Sequence, residues 1–308
     1  MNIVFMGTPD FAVASLQALI RSTHRVVAVV TAPDEPRGRG RKISPTPVKR
    51  RALDAGIPVL QPHNLRDAAF VDALRGFDAD VFAVVAFRIL PKEVFTLPRL
   101  GSFNLHASLL PKYRGAAPIN WALINGDSES GVTTFFLKEK VDTGTLILQE
   151  RLPVPPEMIA GELHDALMEL GAAVLLRTVE AIGSGTVVPC DQDDTRATPA
   201  PKLFRENCSI DWNGSAAAIH NLVRGLSPHP GAWTKHGDRI LKVYRTAVSE
   251  NNGAHGDAGA VRVRDERLFV DCGDGCIELL EIKQEGKRAM SAAEFLRGNS
   301  FAASARLG

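Results

Sequence analysis

The residues with the clearest chemical potential are Asn104 and His106, which stand two positions apart in an apolar run. Side chains alternate in direction along a strand. Both residues therefore point to the same side of the strand predicted over residues 101–105, with His106 just past its end. An amide and an imidazole at the carboxyl end of a strand can hold a carbonyl oxygen as it becomes tetrahedral. A capped strand end with a hydrogen-bonded histidine is the commoner explanation of an isolated Asn-x-His.

A third candidate is Asp142, which lies in the turn sequence Val141-Asp142-Thr143-Gly144-Thr145. An Asx-turn is the commonest use of an aspartate in such a place. The functional alternative is a carboxylate that orients His106 or deprotonates a substrate through it. Ser108 lacks the sequence context of a nucleophile elbow, and no convincing serine or cysteine nucleophile stands nearby. If the site acts on a carbonyl, the attacking group therefore belongs to the substrate.

A second informative stretch is the basic loop, residues 36–51, which carries seven basic side chains and no acidic one. Glycine and proline interrupt it, so we predict an irregular loop that offers charge to phosphates. A solvated surface loop is the alternative. Seven uncompensated charges repel one another, which makes an anionic partner the easier explanation.

These candidates need elements to position them, and the first part of the chain alternates short apolar runs with helical patterns. Strand–helix repetition predicts an open, mostly parallel α/β sheet. Thr8 is predicted to cap the first helix, with Pro9 in its first position. The dinucleotide fingerprint is absent after the first strand, which disfavours a nicotinamide or flavin enzyme. The predicted strands cover residues 2–6, 26–31, 81–85, 101–105 and 131–137.

The pattern changes after about residue 185, and we predict a domain over residues 1–188, a polar linker over 189–204 and a second domain over 205–308. The linker is rich in Asp, Thr and Pro. Short alternating strands with glycine-rich turns follow, which suggests a small β-barrel of the oligonucleotide-binding (OB) type. These strands are predicted at residues 232–236, 239–245, 260–264, 268–272 and 277–282.

Composition excludes several classes of protein. The 308 residues carry a formal net charge of +1, so a generally basic nucleic-acid binder is disfavoured, although a local patch is compatible with that balance. No apolar run approaches the roughly 18 residues of a membrane span. A strand that starts at Asn2 argues against a signal peptide. The four cysteines lack metal-site spacing, and we expect a cytoplasmic protein of two domains.

Several motifs stand out when they are taken together: Phe5-Met6-Gly7-Thr8-Pro9-Asp10-Phe11-Ala12, the basic loop, Asn104-x-His106-x-Ser108-Leu109-Leu110-Pro111-x-Tyr113-Arg114-Gly115-Ala116-Ala117-Pro118, Asp142-Thr143-Gly144, Ile210-Asp211-Trp212 and Pro228-x-Pro230-Gly231-Ala232-Trp233. At these stretches the sequence resembles the methionyl-tRNA formyltransferase family, along nearly the whole chain. The motif around His106 is shared with other folate-dependent formyltransferases and with formyl-tetrahydrofolate hydrolases. The basic loop and the C-terminal domain select the tRNA enzymes.

The resemblance implies a Rossmann-like catalytic domain, an OB-like tRNA-binding domain, 10-formyltetrahydrofolate as formyl donor and charged initiator methionyl-tRNA as acceptor. It also implies a bacterial, cytoplasmic enzyme, which we expect to be a monomer, and no step of the expected reaction requires a metal. Residue by residue, it assigns the catalytic trio to Asn104, His106 and Asp142. It assigns folate contacts to Ser108, Leu109, Leu110 and Pro111, and tRNA contacts to Arg39, Arg41 and Lys42.

Two positions depart from the family pattern. Ala107 stands where glycine is common, and residues 86–91 are one residue shorter than the family segment beside the pterin pocket. The pterin contacts of that segment therefore stay open. Three alternative functions also stay open: a formyltransferase acting on a nucleotide sugar, a formyl-tetrahydrofolate hydrolase, and a tRNA-binding protein without catalysis.

Overall fold

The structure is a computed structural model that describes residues 1–37, 42–249, 256–302 and 304–308, with the side chains of Arg37 and Lys42 left out. The chain forms two compact units. The first unit comprises Met1–Gly115, Ser130–Leu152 and His164–Pro199, and the second comprises Ala116–Glu129, Pro153–Leu163 and Ala200–Gly308. The units thus alternate along the chain, whereas the predicted domains divide it once. Those predicted boundaries stay a prediction.

The first unit is built on a seven-stranded sheet in the order β10-β9-β7-β6-β1-β2-β5. The pairs from β5 to β7 are parallel, and β9 runs antiparallel to β7. The predicted open, mostly parallel α/β sheet is confirmed. The first eleven strands are β1 (Asn2–Gly7), β2 (Arg25–Val30), β3 (Glu35–Arg37), β4 (Lys42–Ser44), β5 (Val59–Leu60), β6 (Val81–Val85), β7 (Ser102–His106), β8 (Arg114–Gly115), β9 (Glu129–Phe136), β10 (Leu146–Pro153) and β11 (Pro199–Ala200).

Helices cover this sheet because its central strands are apolar on both faces. Every residue of β6 is buried, as is normal for a parallel strand with helices on each side. The helices of this part of the chain are α1 (Phe11–Arg21), α2 (Pro47–Asp54), α3 (Ala68–Gly76), α4 (Lys92–Phe95) and α6 (Ala160–Ser184).

The start of α1 differs from the prediction. The helix begins at Phe11, and Asp10 occupies the N-cap position without a side-chain capping bond. Thr8 does not cap it, since its hydroxyl accepts a hydrogen bond of 3.4 Å from the amide of Ala32 at the end of the neighbouring strand. The predicted cap was therefore wrong.

The basic loop is more regular than predicted. Strands β3 and β4 form an antiparallel hairpin, and α2 follows directly. Thr46 caps α2 by accepting from the amide of Lys49 at 3.0 Å, and Pro47 occupies the first turn. Lys49 also forms an ion pair of 2.5 Å with Asp34, an acidic residue just before the stretch. The expectation of an irregular loop was wrong for these described residues because it overlooked the capping signal and this neighbouring charge.

The second unit contains an antiparallel sheet in the order β12-β13-β16-β15-β14, with β17 paired to β16. Its elements are α5 (Pro118–Ile124), α7 (Ala216–Leu226), β12 (Ala232–His236), β13 (Arg239–Val248), β14 (Val261–Arg264), β15 (Arg267–Cys272), β16 (Gly275–Gln284), β17 (Met290–Ser291) and α8 (Ala292–Gly298). All five predicted strands are found here. The core between sheet and helices includes Trp212, Ile219, Val223 and Leu241.

Residues 305–308 close this sheet. On one side, the amide of Gly308 donates to the carbonyl of Lys235 in β12 at 3.1 Å. On the other side, the amide of Val261 in β14 donates to the carbonyl of Ala305 at 3.0 Å. The two outermost strands therefore share one closing segment, which gives the predicted barrel-like form.

Candidate active site

His106 is the last residue of β7, a strand that lies between β6 and β9. Its side chain is 7% exposed, and Nε2 lies 2.9 Å from the carbonyl oxygen of Tyr113. Because a carbonyl only accepts, Nε2 carries the proton of that bond. The other nitrogen, Nδ1, lies 3.8 Å from Oδ2 of Asp142. The imidazole therefore sits between a backbone acceptor and a carboxylate.

Asn104 lies two residues earlier on the same strand, and its side chain is half-buried. In the part of the chain that the structure describes, its amide makes no hydrogen bond, so both N–H donors are available to a ligand. The alternation of side chains along β7 puts this amide on the same side as His106. His106 makes the hydrogen bond expected of a capped strand end, whereas the amide of Asn104 is left available among the described residues, so the catalytic role of the pair stays a prediction.

Asp142 lies in the turn between β9 and β10, and 36 residues separate it from His106 in the sequence. Its Oδ2 accepts a hydrogen bond of 2.9 Å from the amide of Gly115. Its backbone has a positive φ of 53°, in the left-handed region that is unfavourable for a residue with a side chain. The fold thus uses a strained turn to bring this carboxylate to the imidazole.

Gly144 makes the turn possible. A Cβ atom at this position would lie 1.6 Å from the carbonyl oxygen of Phe136, which is far inside van der Waals contact. Gln192 secures the same turn, since its Nε2 donates to the carbonyl oxygens of Asp142 at 2.9 Å and Gly144 at 2.8 Å. Sequence analysis missed Gln192 because it lies in the polar segment interpreted as a linker.

Arg114 connects this polar segment to β8. Its Nε and Nη2 donate to Oε1 of Gln192, and Nη2 also lies 2.6 Å from Oδ1 of Asp194. The hydrogen bond from Arg114 keeps the pKa of the exposed Asp194 carboxyl below its ordinary value. Residues 192–198 are therefore part of the site, because Thr198 in turn accepts from the amide of Tyr113 at 2.9 Å.

The predicted folate segment follows His106 directly. Ser108 is buried and its hydroxyl donates to the carbonyl of Lys112 at 2.7 Å, so it is committed to the turn and not placed as a nucleophile. Leu110 is also buried, and its carbonyl accepts from Gln149 at 3.0 Å. Leu109 and Pro111 are only half-buried, and the Leu110–Pro111 peptide bond is cis. The assignment of folate contacts to these four residues stays a prediction.

A cavity of about 730 Å³ opens beside the shortened segment at residues 86–91. Its lining includes Arg88, Ile89, Leu90 and Glu139, the last of which precedes Asp142 by three residues. Arg88 donates to the carbonyls of the 62–63 loop, and burial lowers the pKa of its guanidinium. Its Nε is buried without a hydrogen-bond partner among the described residues.

The predicted tRNA contacts are only partly described. Arg39 and Arg41 lie outside the described residues. The backbone of Lys42 begins β4 and pairs with Arg37. In the segments that flank this hairpin, the hydroxyls of Thr31 and Thr46 form a hydrogen bond of 2.8 Å with each other.

Within residues 1–37, 42–249, 256–302 and 304–308, no group of three His, Cys, Asp or Glu side chains could hold a metal ion. Over the same residues, no helix is both long and apolar enough to span a membrane.

Known proteins resemble this chain along nearly its whole length. The sequence model of the family described as formyl transferase matches residues 1–179, and that of the formyl transferase C-terminal domain matches residues 202–300. The methionyl-tRNA formyltransferase of Bacteroides thetaiotaomicron is 46% identical over 97% of this chain and 95% of its own length. That of Flavobacterium johnsoniae is 44% identical over 100% of this chain and 99% of its own.

Two solved structures share the fold at low identity. The sugar 3N-formyl transferase WlaRD, solved in the presence of dTDP and 5-N-formyl-THF, has a TM-score of 0.68 at 19% identity, with 94% of this chain and 99% of that chain covered. The N-formyltransferase of Helicobacter canadensis, in complex with folinic acid and dTDP-3-aminofucose, has a TM-score of 0.67 at 19% identity, with 90% and 98% covered. Fold, motifs and full-length relatives agree: the chain belongs to the formyl transferase family and is an enzyme of its methionyl-tRNA formyltransferase branch.

Proposed function

We propose that Asn104, His106 and Asp142 transfer the formyl group of 10-formyltetrahydrofolate to the α-amino group of methionyl initiator tRNA, which yields N-formylmethionyl-tRNA for translation initiation. The convergence of the Asn104 amide, the imidazole and the carboxylate at the end of β7 supports this most directly. The amine nitrogen bonds to the formyl carbon, the bond from that carbon to N10 of the folate breaks, and the amine proton ends on N10. The products are formylated tRNA and tetrahydrofolate.

The side chains divide this work by their chemistry. The free amide donors of Asn104 stabilise the oxyanion of the tetrahedral intermediate. With the Nε2–H group of His106 bound to the Tyr113 carbonyl, Nδ1 is the nitrogen that faces the carboxylate of Asp142, whose Oδ2 lies 3.8 Å away. Together, His106 and Asp142 move the proton from the amine towards the folate nitrogen.

The cavity beside residues 86–91 is our candidate for the folate. Its volume of about 730 Å³ falls within the usual range of small-molecule sites. Arg88 contributes a cationic wall, which suits an anionic folate. We propose that residues 108–111, which do not line this cavity, contact the folate where it leaves the cavity towards His106, and that Arg39, Arg41 and Lys42, together with residues 205–308, bind the tRNA.

A side-by-side assay tests the function. Formyl transfer from 10-formyltetrahydrofolate is measured with charged initiator methionyl-tRNA, charged elongator methionyl-tRNA, an amino sugar nucleotide, or buffer. We expect product with the initiator tRNA alone. Folate turnover in buffer would identify a hydrolase, and transfer to the sugar nucleotide would identify a sugar enzyme. Tight tRNA binding without folate turnover would identify a tRNA-binding protein without catalysis.

Arg39→Ala tests the basic loop. We expect a higher KM for initiator tRNA and an unchanged KM for 10-formyltetrahydrofolate, because the loop is assigned to the tRNA alone. If Arg39 neutralises a phosphate, the slope of log KM for tRNA against log salt should fall by about one. Arg25→Ala, an exposed arginine at the start of β2, is the control. An unchanged slope and KM in the Arg39 variant would contradict the assignment.

We also propose that the enzyme acts as a monomer in the bacterial cytoplasm. Its curated relatives are bacterial, and the three assigned catalytic residues come from one chain. Light scattering of the purified protein tests the monomeric state, and fractionation of the cells that make the protein tests its cytoplasmic location.

A further inference from the structure

We propose that Gln192 is a positioning residue for Asp142: its side-chain amide clamps the strained turn that aims the carboxylate at His106. The proposal rests on the function proposed for Asp142. It concerns a part of the chain, residues 189–204, that the sequence pattern presents as a mere linker. All the residues involved belong to the first unit.

One end of the clamp holds the turn. The amide nitrogen of Gln192 has two N–H groups, and both are used: one for the Asp142 carbonyl at 2.9 Å and one for the Gly144 carbonyl at 2.8 Å. A single group thus ties together the two carbonyls on either side of Thr143. The backbone from which the catalytic carboxylate projects is fixed at this point.

The other end holds the segment that contacts the carboxylate. Oε1 of Gln192 accepts from Nε of Arg114 at 3.1 Å and from its Nη2 at 2.7 Å. The next residue, Gly115, donates its amide to Oδ2 of Asp142 at 2.9 Å. Gln192, Arg114, Gly115 and Asp142 therefore form a closed ring of bonds: Gly115 holds Oδ2, the oxygen that faces His106, and Gln192 holds the backbone carbonyl of the same residue.

The clamp acts on a turn whose conformation has alternatives. Asp142 has a φ of 53°, which aspartate adopts more readily than most residues but less readily than glycine. If the carbonyl bonds were lost, the turn could relax and Oδ2 would move away from Nδ1. Movement of a catalytic group by about 1 Å is enough to cost about 100-fold in rate.

The test compares Gln192→Leu with Gln192→Glu. Leucine removes every bond of the clamp. Glutamate keeps the acceptor for Arg114 but replaces the side-chain NH₂ group by an oxygen, which repels the carbonyl oxygens of Asp142 and Gly144. We expect both variants to lower kcat about 10- to 100-fold, with KM for each substrate within about threefold of wild type. Asp72→Asn is the matched control: it removes the charge of the 70% exposed partner of Arg75, an arginine outside the site, and should stay within about twofold of wild type.

Two further readouts separate positioning from a structural role. In an Asp142→Asn background, adding Gln192→Leu should cost little more, because a positioning residue has nothing left to position. The ring resonances of His106 should move in Gln192→Leu as they do in Asp142→Asn, and this NMR measurement needs no turnover. It therefore tests the clamp even if the proposed acceptor is wrong.

The proposal is overturned if Gln192→Leu keeps the wild-type kcat and His106 resonances. It is equally overturned if kcat falls only in proportion to the folded fraction, or if the losses in the double variant simply add. A restored kcat in Gln192→Asn relative to Gln192→Leu would support the clamp, since asparagine keeps the amide donors on a shorter stem.

Discussion

Asn104→Ala should lower kcat for formyl transfer by about 10²- to 10³-fold, the usual cost of losing one oxyanion donor. Thermal stability should hardly change, because the amide makes no hydrogen bond within the described part of the chain and its removal leaves no group unpaired. Steady-state kinetics and thermal unfolding of the same preparations measure the two quantities. The KM values should change little, since the oxyanion exists only after attack.

Asn104→Asp is the matched variant. It keeps the size and shape of the side chain and replaces the donor by a carboxylate that repels an oxyanion, so it should be at least as slow as Asn104→Ala. A near-normal rate in either variant would remove the oxyanion role from Asn104. A loss of rate that follows a loss of folded protein would instead point to a structural role at the end of β7.

Gly144→Ala should have the second large effect, and here stability and activity should fall together. The added Cβ would overlap the Phe136 carbonyl at 1.6 Å and lie 2.7 Å from Cδ2 of Phe135, so the backbone of the turn must move. Overpacking of this kind costs about 3 kcal/mol in the free energy of unfolding. Because the turn also carries Asp142, we expect at least a 100-fold loss of kcat as well. Urea unfolding and kinetics measure both.

Gly76→Ala is the control for this substitution. Gly76 ends α3, has no heavy atom near its added Cβ and has ordinary helical geometry, so alanine there should be neutral or slightly stabilising. If Gly144→Ala unfolded at the same urea concentration as Gly76→Ala and kept its rate, the packing of the turn against β9 would be less tight than the structure has it.

Local patterns predicted much of the fold. The strands of the second unit could be located because apolar residues alternate with polar ones between glycine-rich turns. Strand β6 could be located because five consecutive apolar residues suit a strand covered on both faces. The Asn104–His106 pair follows from alternation along a single strand. Each of these inferences needs only neighbours in the sequence.

The rest of the site depends on contacts between distant residues. The carboxylate of Asp142 accepts a hydrogen bond from the amide of Gly115, 27 positions away in the sequence. Gln192 donates to the carbonyl of Asp142, 50 positions away. Sequence spacing carries no sign of such pairs, so a polar segment reads as a linker even when its side chains reach the active site. The basic loop was misjudged for a related reason: the charge of Lys49 is balanced by Asp34, 15 residues earlier.

The closure of the second unit by residues 305–308 limits how this unit can recognise a partner. An open sheet can receive an extended peptide at its edge through backbone hydrogen bonds. Here the outer edges of β12 and β14 both form backbone hydrogen bonds with residues 305–308. The amide of Ile210 also donates to a carbonyl of β12, that of Trp233, at 2.8 Å. Strand addition at these edges would have to displace bonds that already exist. We therefore expect the tRNA binding proposed for this unit to use side chains and loops, which is how a surface reads the phosphates and bases of a folded RNA.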